Sequence, residues 1–243
     1  MLLLLHGQPG SSRDWQRVVA ALDSQVEVLA TDRPGWDGTS EPCDLECNCA
    51  AALQALDRAG VQRATIVGYS LGAAVAARIA ATNPERVARL VLIAPAANTE
   101  SLMRVDYLLA APLLGELASA AAMAAAGAAL AARPLRRVIS SELEVDSRYL
   151  GRAARRLLSP STWSAFVAEQ RMLVRELPLL EPLLRHIMAP TTIVIGSADR
   201  VVPPSSAAVL AQQIANAELI EIEDANHLLL QQHPERLAEI LLA

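Results

Sequence analysis

The sequence contains no lysine, and all of its positive charge comes from arginine. We interpret this bias as codon composition rather than as a sign of mechanism. Acidic residues outnumber the arginines, and the formal net charge is −5 over 243 residues. Binding to nucleic acid requires a surplus of positive charge on a surface, so we expect no nucleic-acid partner.

Cysteine is also scarce. Cys43, Cys47 and Cys49 lie within seven positions, and no nearby residue provides the fourth ligand of a metal site. We therefore predict that the three are structural or incidental thiols and that they bind no metal. Unpaired thiols are typical of a reducing compartment, and the chain shows no charged start followed by an apolar stretch and a cleavage site. On these grounds we expect a cytoplasmic protein.

One long stretch has almost no charge. Residues 108–132 carry only Glu116, and a helix of that length would cross a bilayer. Alanine makes up much of the stretch and contributes little transfer energy, and Pro112 and Gly115 interrupt it. We interpret it as a pair of cap or core helices, and we expect no membrane span.

The most informative motif is the G-x-S-x-G sequence at residues 68–72. It follows the β-branched run at residues 64–67 and precedes an alanine-rich segment with helical spacing. A serine at such a turn is held in strained geometry, with its hydroxyl at a helix N-terminus. The glycines on both sides leave room for close packing. This context predicts that Ser70 is a nucleophile.

A serine hydroxyl requires a base, and the base requires an orienting carboxylate. His227 and Asp199 each follow an apolar run typical of a parallel strand, and open α/β sheets place their sites at such strand ends. We predict that His227 is the base and Asp199 its partner. Glu223 and Asp224 also lie near His227 in sequence, but residues so close to a loop histidine rarely point at its ring.

Five segments together resemble the α/β-hydrolase superfamily, in particular its capped serine esterase and lipase-like group. They are residues 6–11 (His-Gly-Gln-Pro-Gly-Ser), residues 32–36 (Asp-Arg-Pro-Gly-Trp), the serine motif, the Asp199 segment and the His227 segment. The order Ser, Asp, His along the chain is the order of that fold. The resemblance implies an α/β fold with a mostly parallel, doubly wound sheet and an inserted helical cap.

Strand patterns that alternate with helical patterns also predict a parallel sheet covered on both faces. The predicted strands are residues 2–5, 26–31, 64–67, 89–93, 191–195 and 218–222. The predicted helices are residues 12–22, 45–59, 71–83, 205–214 and 234–241. Residues 98–188 contain helical patterns and no convincing strand, so we assign them to the cap and residues 1–97 and 189–243 to the core.

The start of the chain departs from the family. Relatives usually carry a hairpin of two strands before the first glycine loop, and this hairpin is missing because the chain starts directly at Leu2. The strand at residues 26–31 then becomes an open sheet edge with unpaired backbone groups. We expect either a truncated start or coverage of this edge, for example in a homodimer.

The resemblance implies a serine hydrolase that cleaves the ester of a small or medium hydrophobic substrate through an acyl-enzyme, without metal or cofactor. Backbone N–H groups of Gln8 and Leu71 would form the oxyanion hole. In the cap, the apolar side chains of Trp163, Phe166 and Met172 are candidate substrate contacts.

Two alternatives stay open. Carbon–carbon bond hydrolases and other acyl hydrolases of the fold use the same three side chains, although the former commonly carry a tryptophan shortly after the histidine, where this chain has Leu228. A non-catalytic ligand-binding protein can also keep the pocket of this fold. Ser70 excludes the dehalogenases and epoxide hydrolases of the fold, because their nucleophile is a carboxylate.

Overall fold

The computed structural model describes residues 1–243, and its six strands form one sheet in which every neighbouring pair is parallel. The strands are β1 (Leu2–Leu5), β2 (Val28–Thr31), β3 (Ala64–Tyr69), β4 (Val87–Ile93), β5 (Thr191–Gly196) and β6 (Ala217–Ile222). Their order across the sheet is β2-β1-β3-β4-β5-β6. The predicted parallel sheet is confirmed, and each strand boundary lies within two residues of its predicted position.

Eleven α-helices accompany the sheet. They are α1 (Gln16–Ala21), α2 (Leu45–Arg58), α3 (Leu71–Thr82), α4 (Arg104–Ala110), α5 (Leu114–Ala131), α6 (Arg133–Glu142), α7 (Ser147–Leu157), α8 (Pro160–Leu180), α9 (Pro204–Gln213), α10 (Leu229–Gln232) and α11 (Pro234–Leu242). Short 3₁₀ segments lie at Ser12–Trp15, Pro84–Arg86, Thr99–Ser101 and Glu181–His186. Helices α4 to α8 fall between β4 and β5, inside the segment that the sequence assigns to the cap.

The helix predicted for residues 12–22 is two elements, a 3₁₀ turn followed by α1. The N–H of Ser11 donates to Asp14 Oδ2 at 2.8 Å, and Arg156 from α7 donates to the same oxygen at 3.2 Å. These contacts hold the first turn in a tighter geometry than helical spacing alone indicates. The short helix α10 was not predicted either, since four residues are too few to show a helical period.

The centre of the sheet is packed from both sides. All four leucines of β1 are buried, as expected for a central strand covered on both faces. Helix α3 packs beside β3 and β4 through small side chains, and five of its alanines, Ala73, Ala74, Ala76, Ala77 and Ala80, are fully buried. Small side chains let the helix lie close to the sheet, which places its first turn against the carboxyl end of β3.

The long uncharged stretch forms the end of α4, a break and then α5. Length and composition alone would allow α5 to cross a membrane. In this fold it packs against the neighbouring cap helices through a stripe of buried residues, Gly115, Ser119, Met123 and Gly127. The contact is close at Gly127, where an added Cβ would lie 2.8 Å from Leu158 Cγ.

The prediction of unpaired thiols was wrong for two of the three cysteines. Cys43 and Cys47 form a disulfide, with Cα atoms 5.9 Å apart. Cys43 precedes Asp44, the residue that caps α2, and Cys47 lies in the first turn of that helix. The turn into the helix therefore brings the side chain of Cys43 next to that of Cys47. Cys49 is free and buried, and burial raises the pKa of its thiol to about 12. The thiol argument for a reducing compartment therefore depends on Cys49 alone.

Strand β2 lies at one edge of the sheet and pairs only with β1, as expected from the sequence. Its four residues are all partly exposed. Pairing with a second copy of the chain at this edge remains a prediction.

Candidate active site

Ser70 occupies the sharp turn between β3 and α3. Its φ of 54° and ψ of −121° lie in a region that side chains rarely adopt. Three backbone bonds hold this turn: the N–H of Ser70 donates to Ile93 O at 2.9 Å, and its carbonyl accepts from Ala73 at 2.9 Å and from Ala96 at 3.2 Å. The strained serine predicted from the G-x-S-x-G motif is therefore present at the start of α3.

The two glycines of the motif stand where backbone segments meet. A Cβ added to Gly68 would lie 2.4 Å from Gly72 O, and one added to Gly72 would lie 2.4 Å from Leu5 O. A Cβ added to Gly7 would lie 2.8 Å from Ser70 Cβ. The loop after β1 therefore lies directly against the serine, and only glycine permits these contacts.

Gly72→Ala should destabilise the protein by about 1–3 kcal/mol, because the new methyl group meets backbone oxygens that cannot rotate away. Gly151→Ala is the matched control, since its Cβ would come no closer than 3.6 Å to any atom. In that mid-helix position alanine is favoured over glycine by up to about 1 kcal/mol. Denaturant unfolding of both variants measures the difference, and equal stabilities would contradict the close packing at Gly72.

The side chains of Ser70, His227 and Asp199 come together from three loops. His227 Nδ1 lies 2.7 Å from Asp199 Oδ2, and His227 Nε2 lies 3.2 Å from Ser70 Oγ. An ionised carboxylate only accepts hydrogen bonds, so Nδ1 carries the hydrogen and Nε2 is left to accept from the serine hydroxyl. The three residues that the sequence singles out therefore form one continuous hydrogen-bonded chain.

Asp199 and His227 are themselves held in place. Asp199 Oδ1 accepts from the N–H groups of Val201 at 2.8 Å and Val202 at 2.9 Å, and its side chain is fully buried. The hydroxyl of Tyr69 donates to His227 O at 2.8 Å, and the two rings lie 5.3 Å apart. Burial raises the pKa of Tyr69 well above its ordinary value, so its hydroxyl stays a donor.

The backbone amides of Gln8 and Leu71 are both free to donate. Leu71 is the first residue of α3, where N–H groups have no acceptor within the helix. The N–H of Gln8 donates to no protein acceptor. Both residues lie beside the serine. Leu71 follows Ser70 in sequence, and Gln8 follows Gly7, which packs against Ser70. A negatively charged oxygen beside Ser70 would find two donors and the positive end of α3.

His6 supports this loop from within. Its ring is fully buried, Nε2 accepts from the Arg33 N–H at 3.0 Å, and Nδ1 lies 2.7 Å from Gly7 O. Because Nε2 accepts, Nδ1 carries the single hydrogen and donates it to Gly7 O. Burial and the neighbouring Arg33 charge hold the pKa of His6 well below its usual range, so the ring stays neutral.

A buried ion pair anchors the loop to α8. Both oxygens of the Glu169 carboxylate accept from the Arg33 guanidinium, and both side chains are almost completely buried. The same guanidinium donates to His6 O at 2.9 Å and to Gly7 O at 3.2 Å. Arg33 therefore ties a cap residue to the backbone that precedes Gln8.

Two further contacts join the cap to this loop. Gln8 Nε2 donates to Gln170 Oε1 at 2.8 Å, and Gln170 Nε2 donates to Asp106 Oδ1 at 2.5 Å. Arg156 from α7 donates to Pro9 O at 3.3 Å and to Ser11 Oγ at 2.7 Å. Sequence reasoning missed these residues, because Glu169 and Gln170 stand in a polar run with Arg171 that looks like an exposed helix face.

Comparison with known proteins identifies the family of this chain. The model of the Alpha/beta hydrolase family matches residues 2–240. The chain belongs to the alpha/beta hydrolase family. This match confirms the predicted fold class and the family resemblance. It also indicates that the reaction catalysed by the protein is a hydrolysis.

Two relatives match nearly the whole hydrolase. It is 28% identical to a 2-hydroxymuconate semialdehyde hydrolase of Pseudomonas sp. (strain CF600), with 99% of this chain and 84% of the relative covered. It is 24% identical to a pimeloyl-(acyl-carrier protein) methyl ester esterase of Aeromonas hydrophila, with 99% and 93% covered. The crystal structure of an enol-lactonase from Burkholderia xenovorans LB400 has a TM-score of 0.76 at 20% identity, with 99% and 89% covered. The two relatives support hydrolysis without agreeing on one substrate, and the crystal structure supports the fold.

The hydrolase has a largely apolar cavity of about 530 Å³ between cap and core. Gly7, Gln8, Tyr69 and His227 line its core side. The cap side is mostly apolar, with Arg156 as its one charged residue; the other cap residues are Ala126, Ala129, Leu130, Ile139, Leu143, Tyr149, Leu150, Ala153, Leu157 and Phe166. The cap therefore places a mostly apolar wall opposite His227.

Of the three predicted substrate contacts, only Phe166 lines this cavity. Trp163 instead points its indole N–H at Leu157 O, at 2.6 Å, and joins α8 to α7. Met172 is buried in the main hydrophobic core, where α8 packs on the sheet domain. Met172 lies on a different face of α8 from Phe166, and Trp163, one turn before Phe166, turns its indole toward α7. Composition alone does not reveal which of these side chains meets the cavity.

Proposed function

We propose that this hydrolase cleaves carboxylic esters of small or medium hydrophobic acids, with Ser70 as the nucleophile. The observation that supports this most is the chain of contacts from Asp199 through His227 to Ser70, next to two unpaired backbone donors. In a hydrolase, such a chain activates a hydroxyl that is otherwise a weak nucleophile.

The reaction proceeds in two steps. Ser70 Oγ attacks the ester carbonyl while its proton passes to His227 Nε2, and Asp199 stabilises the resulting imidazolium. His227 then gives this proton to the leaving alcohol, and the acyl group stays on Ser70. Water, deprotonated by His227, attacks the acyl-enzyme, and the proton returns to Ser70 as the acid departs. Apart from the ester and water, both steps use only side chains and backbone groups of this chain.

The negative charge of each tetrahedral intermediate falls on the former carbonyl oxygen. The amides of Gln8 and Leu71 would donate to that oxygen, and each donor of this kind contributes on the order of 3 kcal/mol to transition-state stabilisation. The position of Gln8 depends on the loop that Arg33, Gln170 and Arg156 hold. The cap therefore contributes to catalysis through the geometry of this loop.

The apolar cavity supports a hydrophobic acyl group. Its volume of about 530 Å³ accommodates a compact acyl group or a chain of moderate length, and its walls offer few partners for a sugar or a charged metabolite. The similarity to a methyl ester esterase agrees with ester cleavage.

A panel of nitrophenyl esters graded by acyl length tests this proposal. We expect kcat/KM to rise by up to about fourfold for each added methylene until the cavity is full, because each buried methylene contributes about 0.8 kcal/mol. Phe166→Ala should move the optimum to longer chains, because it removes a ring from the cavity wall. Leu135→Ala, an exposed cap residue outside the cavity, should leave the optimum unchanged. A profile independent of acyl length would contradict the hydrophobic acyl site.

A second candidate is the reaction of the 2-hydroxymuconate semialdehyde hydrolase that the chain resembles along 99% of its length. The same serine and histidine would act, but Leu228 stands near the position where carbon–carbon bond hydrolases commonly carry a tryptophan. Turnover of 2-hydroxymuconate semialdehyde at a higher kcat/KM than any ester of the panel would favour this candidate.

A further inference from the structure

The outer surface of the cap carries a basic groove between α6 and α7, which we define by Arg136, Ser147, Arg148, Gly151, Arg152 and Arg155. Its volume is about 410 Å³, and no apolar or acidic side chain lines it. In a protein with an overall negative charge, four arginines around one concave site stand out.

None of these four arginines forms an ion pair; the ion pairs of the protein involve other residues. Arg148, Arg152 and Arg155 have the spacing i, i+4, i+7, so they share one face of α7. Like charges at such spacings destabilise a helix by about 0.2–0.5 kcal/mol for each pair. The arrangement therefore costs stability unless an anion neutralises it.

Arg136 provides a second and independent observation. Its side chain reaches from α6 across Gly151 of α7, where an added Cβ would lie 3.6 Å from Arg136 Nη1. Nη1 donates to Leu130 O at 3.0 Å, which fixes the guanidinium, whereas Nε is buried and has no partner. The groove therefore includes one guanidinium whose orientation is fixed before any anion binds.

We propose that the basic groove binds an oxyanion of the phosphate type. Guanidinium groups match phosphate oxygens with pairs of parallel N–H donors, and several of them converge on this groove. Tyr149, Leu150, Ala153 and Leu157 on the opposite face of α7 line the apolar cavity. A phosphate in the groove lies about one helix diameter, roughly 10 Å, from the cavity. The inference does not depend on the chemistry at Ser70.

Calorimetric titration with inorganic pyrophosphate at constant ionic strength tests the site. We expect the native protein to bind, and Arg148→Gln/Arg152→Gln to bind at least about tenfold more weakly, because it loses two charge-assisted partners. Arg133→Gln/Arg137→Gln removes the same charge from α6 outside the groove and should stay within about twofold of the native affinity. Turnover of an uncharged ester should be unchanged in both variants.

Vesicles distinguish the two sources of such a phosphate. Sedimentation with phosphatidylcholine vesicles that contain phosphatidylglycerol, lost in Arg148→Gln/Arg152→Gln alone, would identify a lipid headgroup as the ligand. Pyrophosphate binding without vesicle binding would identify a soluble phosphate. The proposal is overturned if the native protein binds neither probe, or if the two double variants lose affinity equally.

Discussion

Ser70→Ala and His227→Ala should each lower kcat for a nitrophenyl ester by about 10⁴-fold or more, with little change in KM. The first variant lacks the attacking oxygen, and the second leaves the hydroxyl of Ser70 without the acceptor that lies 3.2 Å away. Asp199→Asn should cost about as much, because an amide at 2.7 Å from Nδ1 favours the wrong tautomer of His227. Steady-state kinetics of the three purified variants measure these effects.

The variants should remain folded, because each replaces a side chain without disturbing the strands that carry it. Ser161→Ala is the control, since its side chain is exposed on the cap, and we expect native turnover. Unfolding transitions near that of the native protein would show that lost turnover is not lost structure. If the Ser70→Ala variant kept more than about a tenth of native turnover, the assignment of Ser70 as the nucleophile would be wrong.

Glu169→Ala should destabilise the protein by about 3–5 kcal/mol, because it leaves the Arg33 guanidinium charged, buried and without its carboxylate. Turnover should fall as well, because the same guanidinium holds the carbonyls of His6 and Gly7 beside Ser70. Denaturant unfolding and ester kinetics measure the two effects separately.

Asp57→Ala is the matched control for this prediction. It removes the partner of Arg86 in an ion pair whose carboxylate is 57% exposed, and exposed pairs contribute at most about 1 kcal/mol. In Arg33→Met/Glu169→Leu, apolar packing should restore much of the stability, whereas turnover should stay low because the loop carbonyls lose their donor. Full turnover in this double variant would contradict the positioning role of Arg33.

The parts of the fold that local pattern determines were predictable from the sequence. Most strands are short apolar runs and β6 alternates apolar with acidic residues, and strands alternate with helical segments, so strand positions and the parallel sheet follow from period and spacing. The elbow at Ser70 was predictable for the same reason, because its glycines, strand and helix are contiguous. The grouping of Asp199 and His227 with Ser70 was predictable because the carboxyl ends of parallel strands lie at the same edge of the sheet.

Contacts between distant segments were not predictable. Arg33 and Glu169 lie 136 residues apart, and nothing local to either residue indicates the other. Trp163 and Met172 show why composition does not identify a cavity wall. The side chains of α8 that meet the cavity are determined by how the cap packs on the core. The Cys43–Cys47 disulfide depends on the turn before α2, and the spacing of the cysteines alone did not reveal it.

Labelling with a fluorophosphonate, followed by digestion and mass spectrometry, tests most directly whether Ser70 is an activated nucleophile. We expect one adduct, on the peptide that contains Ser70, and at least about 10³-fold slower labelling of His227→Ala, because the hydroxyl then lacks its base. An adduct on a different residue, or continued ester turnover without any adduct at Ser70, would contradict the account.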